Sequence, residues 1–279
     1  MKGSELRRLL AEHGLSPSRR RGQNFLVDPA LLASIPVDAG VRAGERVLEV
    51  GPGAGSLTAE LLAAGARVFA IELDRGLVAL LRERFAADLA AARLRLVEGD
   101  VLDRGNRFHP AVEAWWREGP APRLVANLPY SISGPFLGRL PGRRLVGACL
   151  LLQREVAEKA LAGARGGPLG VRLALAFHGR LGRRLPPAVF WPPPRVESTF
   201  LHLEPHPGGP GPELDRVLTE LLREGFSQRR KALLARLRRR YPAAAAALAE
   251  AGVGERTRPE EVGPDLWLAA AARAIIADS

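Results

Sequence analysis

The stretch RVLEVGPGAG, residues 46–55, is a β-rich run that enters a turn with three glycines, and a helical segment follows it at 56–64. The same unit of strand, turn and helix recurs along the chain. Strands that alternate with helices are typical of a mostly parallel sheet with both faces covered. The predicted fold class is therefore α/β.

Six further strands are predicted from short apolar runs that are bounded by turn residues. They lie at 67–71, 94–97, 123–126, 146–152, 171–177 and 199–203. The segment 207–212 consists of proline and glycine and predicts a linker, and helices are predicted across 213–274. We therefore expect one domain at 1–206 and a small α-helical domain at 207–279.

Basic residues outnumber acidic ones by 41 to 30, which gives the 279-residue chain a formal net charge of +11 and a pI of about 11.1. This surplus indicates a polyanionic partner, and we expect nucleic acid. No apolar run is long enough to span a bilayer and no signal-peptide pattern is found, so we expect a cytoplasmic protein. The five histidines show no metal-ligand spacing, and the single Cys149 cannot form an internal disulfide, so no metal site is expected.

Three signals fall at the ends of successive predicted strands, where the ligands of an open α/β sheet bind. Gly51 and Gly53 allow the backbone to approach a ligand at the start of a helix. Glu72 can accept hydrogen bonds from both hydroxyls of a ribose, and Asp100 can accept one from an adenine amino group. A dinucleotide site would show G-x-G-x-x-G and an NTPase site a P-loop lysine, and the sequence has neither. The set favours S-adenosylmethionine (SAM) as the ligand.

The tetrapeptide Asn127-Leu128-Pro129-Tyr130 follows the strand predicted at 123–126. Pro129 keeps the chain extended and disfavours a helical conformation in the residue before it. The Asn127 amide and the Leu128 carbonyl can accept the two hydrogens of an exocyclic amino group, while Tyr130 offers a face for stacking. We predict that these four residues are catalytic, because the two acceptors draw the amino nitrogen towards tetrahedral geometry for an in-line displacement.

Six segments follow one another in the order known from a single family. They are RRRGQNFL at 19–26, EVGPGAGSLT at 49–58, IELD at 71–74, NLPY at 127–130, LQREVA at 152–157 and FWPPPRVES at 190–198. In combination, over roughly residues 18–240, they resemble the ribosomal RNA adenine dimethyltransferases. The resemblance implies the class I SAM-dependent methyltransferase fold, a Rossmann-like seven-stranded sheet, with a small C-terminal α-helical domain.

The same resemblance implies a set of ligand contacts. By this resemblance SAM is expected to contact Asn24, Leu26, Gly51, Glu72, Asp100 and Asn127, and the glycine turn adds Gly53 to the expected cofactor site. Within this set, Asn24 and Gly51 would serve the methionine end of the cofactor. Phe190 is expected to cover the second face of the target base, and Arg195 to contact the RNA.

The segment FSQRRK at 226–231 is similar to an F-x-Q-R-R-K segment in the small domain of this family, where it contributes to RNA docking. We expect it to begin a helix that continues to Arg240. Acidic residues four positions away are almost absent, which favours phosphate binding by Arg229, Arg230 and Lys231. The pattern also favours the branch of the family that acts on small-subunit RNA.

The implied activity is SAM-dependent dimethylation of the N6 amino group of adenosines, two adjacent ones, in a loop near the 3′ end of the small-subunit 16S rRNA. The expected partner of this monomer is 16S rRNA or a precursor of the small ribosomal subunit, with a role in subunit biogenesis. Two alternatives remain open: a large-subunit rRNA adenine methyltransferase that confers antibiotic resistance, and a ribosome-assembly factor that binds RNA without catalysis. A DNA adenine methyltransferase is disfavoured, because Leu128-Pro129 stands where two prolines are usual. Departures from the family pattern at Gly134, Leu169 and Trp191 concern substrate fit.

Overall fold

The structure is a computed structural model that describes residues 1–18, 22–228 and 232–277. The chain divides into two compact units. The first consists of Met1–Phe136, Arg144–Arg154 and Leu181–Leu203, and the second of Leu137–Arg143, Glu155–Arg180 and Glu204–Ser279. The second unit thus includes two segments that precede residue 207, and a domain boundary at 206/207 stays a prediction.

Helices and strands alternate through the first half of the chain. They are α1 Gly3–Glu12, β1 Phe25–Leu26, α2 Pro29–Asp38, β2 Arg46–Val50, α3 Ser56–Ala63, β3 Arg67–Glu72, α4 Arg75–Arg84, α5 Ala86–Ala90, β4 Leu94–Glu98, α6 Pro110–Arg117 and β5 Arg123–Asn127. The second half contains α7 Ser133–Leu137, β6 Gly147–Gln153, α8 Arg154–Ala160, α9 Pro168–Ala176, β7 Phe177–Leu185, β8 Phe190–Trp191, β9 Ser198–Pro205, α10 Pro212–Phe226, α11 Leu233–Arg240, α12 Pro242–Glu250 and α13 Pro264–Ala277.

Within the described residues, seven strands form one sheet in the order β4-β3-β2-β5-β6-β9-β7. The neighbours from β4 to β6 are parallel, and β9 runs antiparallel to β6. The chain winds outward from β2 to β4 and then returns to β5, so the strand order reverses between β2 and β5. Ligands bind outside the carboxyl ends of the strands at such a switch point. The predicted α/β class is confirmed.

The central strand β2 explains why this sequence forms a buried parallel strand. Val47 and Leu48 are fully buried, and Val50 is almost so. A strand with both faces covered needs apolar residues at consecutive positions and not only at alternate ones. Helix α3 follows after Gly55 and buries Leu57 and Leu61 in the same core, so the glycine turn is held between two anchored elements.

The strand predicted at 171–177 is wrong, because these residues lie mainly in helix α9. Apolar residues at every second position suggested a strand. Pro168 instead starts a helix at its first position, where proline is favoured. Val171 and Leu175, one helical turn apart, are both buried in the core of the second unit. The strand that completes the sheet is β7, whose exposed, polar residues gave no apolar signal.

The helix expected to start at Phe226 is also different. Helix α10 ends at Phe226, and α11 begins at Leu233. Arg229, Arg230 and Lys231 lie outside the described residues, as do Arg19, Arg20 and Arg21 of the first family segment. Trp267 of α13 is fully buried at the centre of the second unit, among leucines and alanines of α10, α11 and α12.

Candidate active site

A cavity of about 270 Å³ opens at the carboxyl ends of β2, β3 and β5 in the first unit. It is lined by every residue predicted to bind SAM or the amino group: Asn24, Leu26, Gly51, Gly53, Glu72, Asp100, Asn127, Leu128, Pro129 and Tyr130. These residues come from segments more than one hundred positions apart in the sequence. The fold therefore brings the predicted site together in one place.

The glycine turn after β2 adopts a conformation that other residues rarely take. Gly51 and Gly53 have φ values of +65° and +59°, in the left-handed region that glycine enters without steric cost. A Cβ at Gly53 would lie 2.8 Å from Cε1 of Phe25, and one at Gly51 would lie 3.3 Å from the ring of Pro129. The turn can pass this close to both neighbours only because it has no side chains at these two positions.

Glu72, the last residue of β3, connects two of the loops that line the cavity. Its Oε2 accepts a hydrogen bond of 3.0 Å from the Gly53 amide, and its Oε1 accepts one of 2.9 Å from the Asp74 amide. Burial raises the pKa of Glu72, and the two amide bonds oppose this effect. Each carboxylate oxygen has a further lone pair, so both can still accept the hydroxyls of a ribose.

Asp100 follows β4 and is exposed at the edge of the cavity. Its Oδ1 accepts a hydrogen bond of 3.2 Å from the Leu102 amide, which fixes the carboxylate at the start of a turn. This bond occupies one oxygen, and Oδ2 can accept from an amino group. The geometry suits the adenine contact that the sequence predicts.

The Asn127 side chain has a defined orientation. Its Nδ2 donates a hydrogen bond of 3.0 Å to the backbone carbonyl of Asn24. A carbonyl oxygen can only accept, so the amide nitrogen faces Asn24 and Oδ1 is turned the other way. Among the described residues, none donates to the adjacent Leu128 carbonyl. Two acceptors thus stand side by side at the end of β5.

Tyr130 begins a short 3-10 turn directly after these acceptors. Its hydroxyl lies 2.7 Å from Oγ of Ser198, the first residue of β9, which is fully buried. Burial raises the pKa of Tyr130, so the ring keeps its neutral hydroxyl, while the bond to Ser198 has the opposite effect. The ring is fixed at both ends, by the backbone turn and by this hydrogen bond.

Glu49 is a cavity residue to which the sequence reasoning gave no function. It is only 1% exposed, and its Oε2 accepts a hydrogen bond of 2.7 Å from Thr58 Oγ1. Burial raises its pKa to about 8, the Thr58 bond lowers it, and the charge of Glu72 raises it further. Glu49 is therefore mostly neutral at pH 7. The one sequence feature that marks it is an acidic residue inside the apolar run of β2, and burial of the carboxyl group is seen only in the fold.

The structure does not bring Phe190 or Arg195 to the cavity. Phe190 pairs with Leu26 across the two-stranded ladder of β1 and β8, and its ring is 3% exposed inside the core. A ring that covers a base needs an open face, so this role would require Phe190 to be uncovered. Arg195 is exposed to solvent in the segment before β9.

Three arginines of α11 have partners within the protein, and two of these partners are acidic. Arg236 donates to the carbonyls of Gly225 and Gln228, both at 2.6 Å, at the end of α10. Such bonds satisfy carbonyls that have no partner within their own helix. Arg238 pairs with Glu255, and Arg240 lies 3.8 Å from Glu224. Both acids lie outside α11, 17 and 16 residues from their arginine partners, so spacing along one helix could not reveal them.

Among the residues that the structure describes, no group of three or more His, Cys, Asp or Glu side chains is arranged to hold a metal ion. Over the same residues, no helix has both the length and the apolar character required to cross a membrane.

Comparison with known proteins supports the same interpretation. Residues 16–275 match the model of the family described as ribosomal RNA adenine dimethylase. The chain is 39% identical over 283 residues to the ribosomal RNA small subunit methyltransferase A of Synechococcus sp. strain RCC307, with 94% of this chain and 98% of the relative covered.

Solved structures show the same fold. The 23S rRNA methyltransferase ErmE is 26% identical with a TM-score of 0.65, over 90% of this chain and all of that one. A dimethyladenosine transferase from Plasmodium falciparum, 23% identical, has a TM-score of 0.69 over 88% of this chain and 95% of that chain. The predicted methyltransferase fold, the adenine dimethyltransferase class and the methyl donor SAM are confirmed. The chain belongs to the ribosomal RNA adenine dimethylase family.

Proposed function

We propose that this chain transfers two methyl groups to the N6 nitrogen of adenosines in small-subunit rRNA, at the loop near its 3′ end. The single observation that carries the chemistry is the orientation of Asn127. Because Nδ2 is bonded to Asn24, Oδ1 and the Leu128 carbonyl form a pair of acceptors beside the cavity. Two acceptors match the two hydrogens of an exocyclic amino group.

The residues around the cavity fit the cofactor. Glu72 has two oxygens for ribose hydroxyls, and Asp100 has one free for an amino group. The turn has no side chain at Gly51 or Gly53, so its backbone lines the cavity directly. When bound, SAM supplies an electrophilic methyl group on a sulfonium, so the protein itself needs no covalent nucleophile.

The chain's own residues prepare the acceptor nitrogen. An adenine amino group is a poor nucleophile, because its lone pair is delocalised into the ring. Hydrogen bonds to Asn127 Oδ1 and the Leu128 carbonyl favour a tetrahedral nitrogen, whose lone pair is localised. Tyr130, fixed through Ser198, offers the stacking face that holds the base in this position. Each transfer leaves a positively charged nitrogen, which then releases one of its hydrogens as a proton. One hydrogen therefore remains after the first methylation, and the site must bind the base again with only one of its two acceptors used.

The substrate is proposed to be a base outside a helix stack. Extruding a loop adenosine costs only a few kcal/mol, and sequence-specific RNA recognition generally targets such unstacked bases. The proposal includes contacts of Asn24 and Leu26 with SAM, of Phe190 with the target base and of Arg195 with the RNA. It also includes RNA binding by Arg229, Arg230 and Lys231. The proposal further includes a monomeric enzyme in the cytoplasm, with RNA docking through the helical domain.

The small-subunit assignment is supported by the degree of similarity. The relative named for the small subunit is 39% identical over almost its whole length, whereas the structure named for 23S rRNA is 26% identical. The large-subunit alternative predicts a different substrate, and the assembly-factor alternative predicts RNA binding without turnover. One assay distinguishes all three.

The assay uses purified protein, isotopically labelled SAM and unmethylated small ribosomal subunits, with large subunits in a parallel reaction. Nucleosides are then analysed by mass spectrometry. We expect dimethyladenosine in small-subunit RNA only, and none with Asn127→Ala. Methylation of large-subunit RNA would select the first alternative, and binding without any methylated adenosine would select the second.

A further inference from the structure

A second groove, of about 690 Å³, lies in the first unit at the end of the sheet opposite the catalytic cavity. It is formed at the amino ends of β2, β3 and β4, together with the end of α6. Of the ionisable residues lining it, all within the described part of the chain, four are arginines and one is a glutamate: Arg46, Arg67, Arg93, Arg95 and Glu118. We call it the arginine groove.

Strand register places two of these cations directly opposite each other. Arg46 is the first residue of β2 and Arg67 the first of β3, and they are partners in the parallel ladder. Directly opposite side chains of a ladder project from the same face, and like charges in such a pair are destabilising. Burial lowers the pKa of Arg46, Glu118 opposes this, and the Arg67 charge lowers it further. An anion placed between the two guanidinium groups would relieve the repulsion.

Buried aromatic rings hold two of the guanidinium groups in position. Arg46 stacks on Trp115 at 4.1 Å from the ring centroid, and Arg95 lies over Phe69 at 5.4 Å. The two rings pack against each other, with centroids 4.9 Å apart. Arg46 also donates to the carbonyls of Trp115 and Pro120. A guanidinium fixed in this way loses less conformational entropy when it binds a phosphate.

The acidic side chains near the groove neutralise only part of this charge. Glu118 lies 3.8 Å from Arg95, and both side chains are more than half exposed, so the pair contributes little. Arg93 pairs with Asp88. Among the described residues, Arg67 has no ion-pair partner. The groove therefore retains a net positive charge that no described residue neutralises.

We propose that the arginine groove binds the phosphate backbone of the RNA substrate, at a site separate from the adenosine that is methylated. Charge complementarity selects the occupant, because several cations on a rigid surface match the spaced phosphates of a nucleic acid. The class of nucleic acid rests on the function proposed above. The groove gives the catalytic unit an RNA contact of its own, independent of the helical unit.

The test measures binding of the full-length protein to a transcript of small-subunit rRNA over a series of salt concentrations. The variant is Arg67→Gln combined with Arg95→Gln, which removes two exposed cations and leaves Arg46 on Trp115. Two lost phosphate contacts should weaken binding by about tenfold and reduce the slope of log affinity against log salt by roughly 1 to 2. The control is Arg8→Gln combined with Arg82→Gln, two exposed arginines of the same unit outside the groove.

Cofactor affinity and turnover at saturating RNA should be unchanged in the variant, because neither residue lines the catalytic cavity. An unchanged salt slope, or an equal loss in the control, would overturn the proposal. A loss seen with intact ribosomal subunits but not with the transcript would also overturn it, because the groove would then contact a protein. The native chain could lack methylation activity while the variant still showed a reduced salt slope of RNA binding. In that case the groove proposal would stand and the proposed function would fail.

Discussion

The amide nitrogen of Asn127 lies 3.0 Å from the backbone oxygen of Asn24, a residue 103 positions earlier in the chain. This bond decides which atom of the amide is presented to the ligand. Replacing the amide nitrogen by oxygen should therefore strongly reduce catalysis, although the shape of the side chain hardly changes.

Asn127→Asp tests this orientation. A carboxylate cannot donate to the Asn24 carbonyl, and its oxygen would face that carbonyl with the same partial charge. We expect kcat to fall by about 10²- to 10³-fold, the range for loss of one preorganised polar contact in a transition state. The SAM dissociation constant, measured by calorimetry, should change much less. Asn106→Asp, the same change on an exposed loop, is the control, and full turnover by Asn127→Asp would contradict the assignment.

The pair Tyr130 and Ser198 is best tested by a double-mutant cycle. Tyr130→Phe leaves the buried Ser198 hydroxyl without its partner, and Ser198→Ala does the same to the Tyr130 hydroxyl. Each single change should cost about 1 to 3 kcal/mol in the free energy of unfolding. The double variant should cost less than the sum, because no hydroxyl is then left unpaired. Strictly additive costs in denaturant unfolding would show that the two groups do not interact.

Glu49 makes stability depend on pH in a direction opposite to that of ordinary carboxylates. Its folded pKa, about 8, is above the unfolded value of 4.5. Between these values the folded protein holds a proton that the unfolded chain has released, so stability falls as pH rises. The contribution has a slope of about 1 kcal/mol per pH unit, and it levels off above pH 8.

Glu49→Gln should remove this contribution, since the amide stays neutral and its oxygen can still accept from Thr58. Unfolding measured from pH 5 to 8.5 should give a flatter profile and a more stable protein at pH 8. Glu204→Gln, an exposed glutamate that is also in a strand, provides the control. A profile for Glu49→Gln parallel to that of the native protein would refute the argument.

Gly53→Ala should impair cofactor binding more than backbone strain alone can explain. At φ +59° an alanine costs about 1 to 2 kcal/mol, and its Cβ would in addition lie 2.8 Å from Phe25. Gly14 provides a matched control, because it has φ +64° and open space around its Cβ position. We expect both variants to lose stability and only Gly53→Ala to lose SAM binding. Equal SAM affinity in the two variants would count against the turn as part of the cofactor site.

The sequence predicted the positions of polar residues best where they follow an apolar strand. Glu72, Asp100 and Asn127 could be assigned to one edge of a sheet because parallel strands share a direction. It failed at 171–177, where alternating apolar residues are compatible with both a strand and a helix packed on two sides. It gave no function to Glu49, since only the folded structure shows that a carboxyl group is buried. The partners of Arg236 and Arg238 lie outside α11, 8 to 17 residues away, so the spacing of residues along that helix does not reveal them.

The hydrogen bond between Asn127 and Asn24 has a consequence for truncated forms of the protein. Phe25 and Leu26, which follow Asn24 directly, pair with β8, more than 160 positions further along the chain. The carbonyl that orients the Asn127 amide therefore lies next to a ladder between distant parts of the first unit. A chain that lacks residues 1–24 would lose this hydrogen bond, and with it the orientation of the amide, even with the rest of the cavity in place.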